Sequence, residues 1–321
     1  MTEIRCYLHG IYPRSEALVA ATRDAARGRR LAADVEAQRR ADGTALVALQ
    51  REAGLDYVSR GMLTWQDLFR PLVAACPPWT TGPLRRWFDN NTFARAPVIS
   101  RVAELDRDLF AAELDRDLLA AEASQVGTLP GPYTLSRVAE TCADRDMMIG
   151  ALARGVLRPA AEELAARGAQ VIHLQEPWLV AHGIEDHCWR LLSAAIDCVR
   201  DGLGALVVVH TYFGDAAPWL DRLRALPADA VGVDLTETDV TALSGRWRTG
   251  ILAGCLDGRS SVVEDAEETA ALARRILDSA EPLILMLSSS CDLELLPRAI
   301  ADEKTRLLGA VAGLLREDLA C

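Results

Sequence analysis

The chain has 321 residues, with 35 Lys and Arg against 46 Asp and Glu for a formal net charge of −11, and its isoelectric point near 5.0 comes with no basic block of the kind that holds a phosphate backbone. That balance argues against a nucleic-acid partner, and the absence of any apolar run approaching the ~20 residues of a membrane span argues against a membrane one. The opening MTEIRCYLHGIYPRS lacks the layout of an export signal and the eight cysteines show no CxxC pairing, so a cytoplasmic, reduced setting is expected.

In chain order, eight strand-like runs precede longer helical patterns: 4–9, 54–58, 124–129, 169–174, 204–210, 230–235, 249–255 and 282–287. Amphipathic stretches at 16–51, 132–167, 185–202, 217–226, 261–279 and 293–317 are long enough for crossover helices. Alternation of this kind predicts an α/β fold, a (β/α)8 TIM barrel occupying 1–321 as one domain. Segment 60–100 breaks the pattern. Its Trp, Pro and Gly content predicts a long loop at the C-terminal mouth with a hairpin pairing 84–88 to 93–99, and long loops there are usually functional. A repeat, AELDRDLF at 103–110 and AELDRDLL at 112–119, reads as solvated helix surface.

Three strings end apolar runs in reactive residues: VVVHTYFGD at 207–215, VGVDLTETD at 231–239 and LMLSSSCD at 285–292. As parallel strands they bring His210, Asp234 and Cys291 to one end of the barrel. Imidazole, carboxylate and thiolate together suit Zn2+ better than Mg2+ or Ca2+, which prefer all-oxygen shells. For a fourth position Cys255, Tyr212 and an open site for water or substrate are all compatible. Zinc at such a mouth either presents a substrate thiol as thiolate for methyl transfer or activates water for hydrolysis.

The order of motifs GIYPRS, GLDYVSRGMLTWQDL, RRWFDNN, LPGPYTL, LQEPWL, VHTYFGD, VDLTETD, AGCLDGRS and SSSCD resembles the catalytic C-terminal barrel of cobalamin-independent methionine synthase, above all its short single-domain, archaeal-type relatives. The resemblance implies a zinc-dependent methyltransferase moving a methyl group from methyltetrahydrofolate or a methyl-corrinoid to the thiol of homocysteine. It further implies His210, Asp234 and Cys291 as metal ligands, and a corrinoid or accessory protein as one form of partner. Departures from the family pattern are Tyr212 where HxC has its cysteine, Asp234 for a glutamate, Gln175 for the Asp of DEP, and Ile11 for a loop serine.

By the same resemblance, Asp257 protonates a leaving amine or binds the substrate amino group. Glu176 is catalytic, or else a structural acid bonded to backbone. Gln175, Ile11, Arg14 and Tyr212 are substrate-side candidates, Arg14 for a carboxylate tail or for a surface ion pair. Trp65, Asp67, Trp87, Asp89 and Asn90 are candidates for the methyl donor. Two other readings stay open: a methyltransferase or lyase acting on a different thiol or small molecule, and a non-catalytic pterin-binding or partner subunit.

Overall fold

The computed structural model describes residues 2–90, 92–116 and 125–320. Part of the second repeat copy, Ser124 at the head of a predicted strand and Cys321 lie outside the described residues. Strands β1 (Glu3–Cys6), β4 (Gln125–Pro130), β5 (Ala169–Gln175), β6 (Leu206–Thr211), β7 (Ala230–Asp234), β8 (Gly250–Leu256) and β9 (Ile284–Ser289) form one parallel sheet, ordered β1-β9-β8-β7-β6-β5-β4. The run predicted as a strand at 54–58 contributes only two parallel bridges, Tyr7 with Tyr57 and Val58 with Gln125. Those bridges span the gap between β1 and β4 and close the curl into a barrel.

Alternation along each strand sends every second side chain inward. The inner apolar layer takes one residue from each of the eight positions: Tyr7, Tyr57, Val126, Val171, Val208, Ala230, Leu252 and Met286. The opposite parity, including Val207, Val209, Val231, Val233, Ile251 and Ala253, packs with the surrounding helices in the main core. Strands buried on both faces explain why the sequence shows near-continuous apolar runs rather than clean alternation.

The helical stretch predicted at 16–51 is two helices, Glu16–Ala26 and Ala32–Glu52. Gly28, at φ +68°, takes the left-handed turn between them, where a side chain is costly. The 132–167 stretch is likewise divided, into Pro132–Val138, Arg145–Leu152 and, after a π-helical turn at Ala153–Leu157, Arg158–Ala166. In the 60–100 segment a short helix, Arg70–Ala75, leads into the antiparallel hairpin of β2 (Trp79–Arg86) and β3 (Phe93–Ile99). Pairing runs from Arg86 with Phe93 back to Trp79 with Ile99 across a bulge after Thr81, so the hairpin is longer than predicted.

The single lysine of the chain, Lys304, lies fully buried on the last helix, Arg298–Ala320. Its Nζ donates to both oxygens of Glu264, at 2.6 and 2.8 Å, and Glu264 Oε1 also accepts from the Asp257 backbone N–H at 2.7 Å. This pair ties the loop after β8 to the helix layer. Replacing Lys304 by Met should cost about 1–3 kcal/mol by leaving the partly buried Glu264 carboxylate without its cation, measured by urea unfolding, and the double variant K304M/E264Q should recover part of that loss.

Candidate active site at the barrel mouth

Two residues further along the strands than the apolar layer, three of the five histidines meet inside the barrel. His9 follows β1, His173 sits in β5 and His210 in β6, all buried. His9 and His173 stack with ring centroids 4.0 Å apart, and His210 stands edge-on to both. His210 Nδ1 lies 3.3 Å from His173 Nε2, and His173 Nδ1 lies 3.0 Å from the Tyr7 hydroxyl. His210 Nε2 is buried with no hydrogen-bond partner among the described residues. The neighbouring strand gives this layer room, because a Cβ at Gly232 would overlap the His210 ring. Burial, followed by the adjacent imidazoles, holds His173 and His210 well below the usual histidine range, so both are neutral at pH 7.

The next residues outward form the floor of the mouth. Tyr212 donates to Gln175 Oε1 at 2.9 Å, and Gln175 Nε2 donates to Asp292 Oδ1. Asp292 Oδ1 also meets His9 Nδ1 at 3.3 Å, while Oδ2 accepts the Ile11 N–H at 3.0 Å. Gly10 seats this carboxylate: its φ is +67°, and a Cβ there would overlap the Asp292 side chain. Ile11 therefore contributes its backbone to the floor. Asp292 gives the sequence no motif of its own beyond standing next to Cys291.

The expected metal residues fall into two groups. Asp234 Oδ1 accepts from the backbone N–H and hydroxyl of Thr236, at 2.9 and 2.6 Å, leaving Oδ2 only a 3.4 Å approach from the Phe213 N–H. Cys291 is buried just past β9, with its Sγ 3.6 Å from the Asp292 carbonyl. Its thiol is pushed well above the usual range by burial and then by the charges of Asp292 and Asp234. Cys255 has the outward parity of β8, packs in the helix-facing core and is pushed up to about 12 by burial. Among the described residues, the groups of three whose donor atoms lie within 4.8 Å of one another are His9, His173, His210 and Asp146, His187, Cys188. The set His210, Asp234, Cys291 is not among them. His210 is common to the expected set and to the histidine group, whose other two rings, His9 and His173, lie stacked rather than converging on a single point.

Glu176 is fully buried and accepts from the backbone N–H groups of Tyr133 and Thr134, at 2.8 and 2.7 Å, and from the Thr134 hydroxyl at 2.7 Å. It caps the start of the Pro132–Val138 helix, and burial raises its carboxyl to about 7 against those bonds. Asp257 faces the loop, accepting the Arg259 N–H at 2.8 Å. Arg14 donates to the carbonyls of Leu63 and Trp65 at 3.1 and 2.5 Å. Asp67 accepts the Phe69 and Arg70 N–H groups, both at 3.1 Å, and pairs with the Arg70 guanidinium at 2.9 Å. Trp65 donates to Glu113 at 3.1 Å. These last three hold the mouth segment together.

Beside the mouth lies a cleft of about 550 Å3 whose lining includes Trp87, Asp89 and Asn90 from the sequence expectation. Its wall is an aromatic cluster: Phe88 stacks on His182 at 5.6 Å, stands 5.5 Å from Phe213, and meets Trp87 at 4.7 Å. Phe88 and Phe213 both have positive φ, at 51° and 66°, conformations that non-glycine residues seldom adopt. Arg85, Arg86, Arg137 and Arg259 supply cations around it. Trp87 also lines the adjoining pocket with Gln175 and Asp292, so it stands between cleft and mouth.

A family model described as "Cobalamin-independent synthase, N-terminal domain" matches residues 79–281. The chain belongs to the cobalamin-independent synthase family. The description names the N-terminal domain, whereas the motif order resembles the catalytic C-terminal barrel. The chain is 27% identical over 250 residues to a protein named methionine synthase from Sulfurisphaera tokodaii, covering 74% of this chain and 70% of that one. It is 27% identical over 248 residues to a 5-methyltetrahydropteroyltriglutamate--homocysteine methyltransferase from Herpetosiphon aurantiacus, covering 72% of this chain but only 31% of that longer protein. A solved B12-independent methionine synthase from a Shewanella species, in complex with selenomethionine, superposes with a TM-score of 0.74 over 98% of each chain at 18% identity. The barrel of this family member is thus the fold of the synthases. No helix among the described residues is long and apolar enough to cross a membrane.

Glu294, facing the same pocket as Asp292, has its carboxyl raised to about 8, first by burial and then by the charge of Asp292. A carboxyl whose folded pKa exceeds its unfolded value favours the folded state at low pH. Its contribution declines as pH rises from about 4.5 towards about 8. Urea unfolding across that window should show stability falling with pH, and Glu294→Gln should flatten the slope.

Proposed function

We propose that the protein transfers a methyl group from a methylated folate to the thiol of a small amino acid of the homocysteine type. The family match over residues 79–281 carries this reading, together with relatives named for methionine synthesis and for methyl transfer from methyltetrahydropteroyltriglutamate to homocysteine. A family described as cobalamin-independent gives a corrinoid donor or corrinoid partner no support.

The cleft suits the donor by its chemistry. A flat heterocycle finds faces on Trp87 and Phe88, and a carboxylate tail finds Arg85, Arg86 and Arg137. The acceptor sulfur would approach from the floor of Gln175, Tyr212 and Asp292. In the transfer, a sulfur lone pair forms the new S–C bond as the methyl–N bond breaks, and the spent amine takes up one proton. Asp257, beside Arg259 at the edge of the mouth, is the proton donor we assign. Zinc, when bound, would supply thiol activation by lowering the pKa of a bound thiol so that thiolate exists near pH 7. His210 is the ligand we assign, because it belongs both to the expected set and to the buried histidine group. Asp234 and Cys291 border the acceptor's path, and Cys255 is left to the core.

A second reading, transfer to a different thiol or small molecule, is favoured by one observation. Gln175 and Tyr212, at the positions where the resembled family has an acid and a thiolate, are bonded to each other.

Zinc-loaded protein given methyltetrahydropteroyltriglutamate and homocysteine should form methionine. Methylation of another thiol but not of homocysteine would select the second reading, and no transfer to any thiol would overturn both. Trp87→Ala should raise the donor KM about tenfold, equivalent to about 1.4 kcal/mol, with the acceptor KM little changed.

A further inference from the structure

We infer that Asp146, His187 and Cys188 form a site for a divalent metal of the zinc class in the helix layer of the barrel, apart from the mouth. None of the three lines the cleft or the mouth pocket, and the inference stands independently of the reaction proposed above.

Three helices meet at this point. Asp144 caps the helix Arg145–Leu152 by accepting from the N–H groups of Asp146 and Met147, which sets Asp146 in the first turn. His187 and Cys188 stand in the first turn of the helix Asp186–Arg200, and Arg137 in the last turn of Pro132–Val138. Their donor atoms converge. Cys188 Sγ is 3.3 Å from Asp146 Oδ1 and 3.3 Å from His187 Nε2, and that same nitrogen is 2.7 Å from Asp146 Oδ2. Donors about 2.0–2.3 Å from one tetrahedral zinc stand roughly 3.3–3.6 Å apart. An ion is therefore admitted once the His187–Asp146 contact opens by about 0.6 Å, a small rotation for two partly exposed side chains. Sulfur, imidazole and carboxylate together suit zinc better than Mg2+ or Ca2+, and the exposed side of His187 leaves the fourth position to water.

The surrounding contacts are those that metal ligands use. A bound imidazole is usually fixed through its other nitrogen, and a bound carboxylate by a further hydrogen bond. His187 Nδ1 has the Glu185 carboxylate at 3.3 Å, so the remaining nitrogen is the one that faces Asp146 and Cys188. Arg137 donates to Asp146 Oδ1 and, at 3.1 Å, to Cys188 Sγ. Arg137, and then His187, lowers the Asp146 carboxyl to about 2, so this ligand is ionised at pH 7. The Cys188 thiol is pushed up to about 11 by burial and then by Asp146, so it gives its proton to solvent when the ion binds. Arg137 also lines the cleft, and loading the site fixes one of the cleft's cations from behind.

The test uses the full chain, stripped with chelator, reloaded with excess Zn2+ alone and desalted. Elemental analysis should find one ion per chain fewer in His187→Asn than in the wild type, whatever the mouth retains, and the same deficit in Cys188→Ser. His187 is half-exposed, so His187→Asn leaves the packing intact, which circular dichroism checks. Arg137→Gln should weaken the site about 10- to 100-fold, the usual cost of losing an outer partner. With Co2+ in place of Zn2+, the wild-type spectrum minus that of His187→Asn should show a near-ultraviolet thiolate charge-transfer band, any contribution from the mouth cancelling. Equal ion content in the wild type and His187→Asn, or a difference spectrum without that band, would overturn the inference and leave these residues as a hydrogen-bonded joint between helices. Neither result bears on methyl transfer, which is assayed separately.

Discussion

The two-residue period of the barrel strands is the constraint on which the rest of this molecule depends. Because every second side chain points to the axis, each strand delivers its residues to the same succession of levels. Tyr7, Val171 and Val208 fill the apolar level, His9, His173 and His210 the next, and Gln175 and Tyr212 the level at the mouth. A single-residue slip in any strand would send its histidine into the helix layer and bring an aliphatic side chain into the polar level. Dense packing of the outer face, where Val207, Val209, Val231 and Val233 meet the helices, is what resists such a slip.

Above the histidines, the charge distribution sets what the mouth can receive. Asp292 places a carboxylate on the floor, beside a Glu294 whose raised pKa keeps it largely protonated near pH 7, whereas the cleft beyond Trp87 is ringed by arginines. In the proposed reaction, an amino-acid substrate and a co-substrate with carboxylates would thereby be directed to different sides of one indole. The hairpin of β2 and β3 carries that indole, and it is anchored by Asp67, which bonds both the Arg70 helix start and the Arg95 N–H at 3.3 Å. Residues read from the sequence as donor contacts thus divide into those that line the cleft and those that hold its wall in place.

Much of the barrel was legible because buried parallel strands are short, apolar and bounded by turns: the runs at 169–174, 230–235 and 249–255 differ from β5, β7 and β8 by only a residue at either end. The 54–58 run was overread, since its apolar pattern yields two bridges and no ladder. Gly28 and the arginines after it were an available signal for the break within 16–51. His9 and His173 were missed for a different reason. Each is a lone histidine in an apolar string, and only strand register shows that they share a level with His210. Counting two residues on from Tyr7 and from Val171 would have found them. Phe88 in the hairpin loop, Trp178 and His182 on the Pro177–His182 helix, and Phe213 after β6 lie on three separate segments, and nothing local in the sequence announces that they meet. Cys255 shows the converse error, as a residue beside a motif but of the wrong parity.

If this mouth activates a thiol for attack, the thiol must bind it as thiolate. Calorimetric titration of the zinc-loaded protein with homocysteine, repeated in buffers of different ionisation enthalpy near pH 7, counts the protons released on binding. Binding as thiolate predicts about one proton per chain, because a metal-bound sulfur is deprotonated. Binding without proton release would mean that the thiol remains protonated, and would contradict the claim.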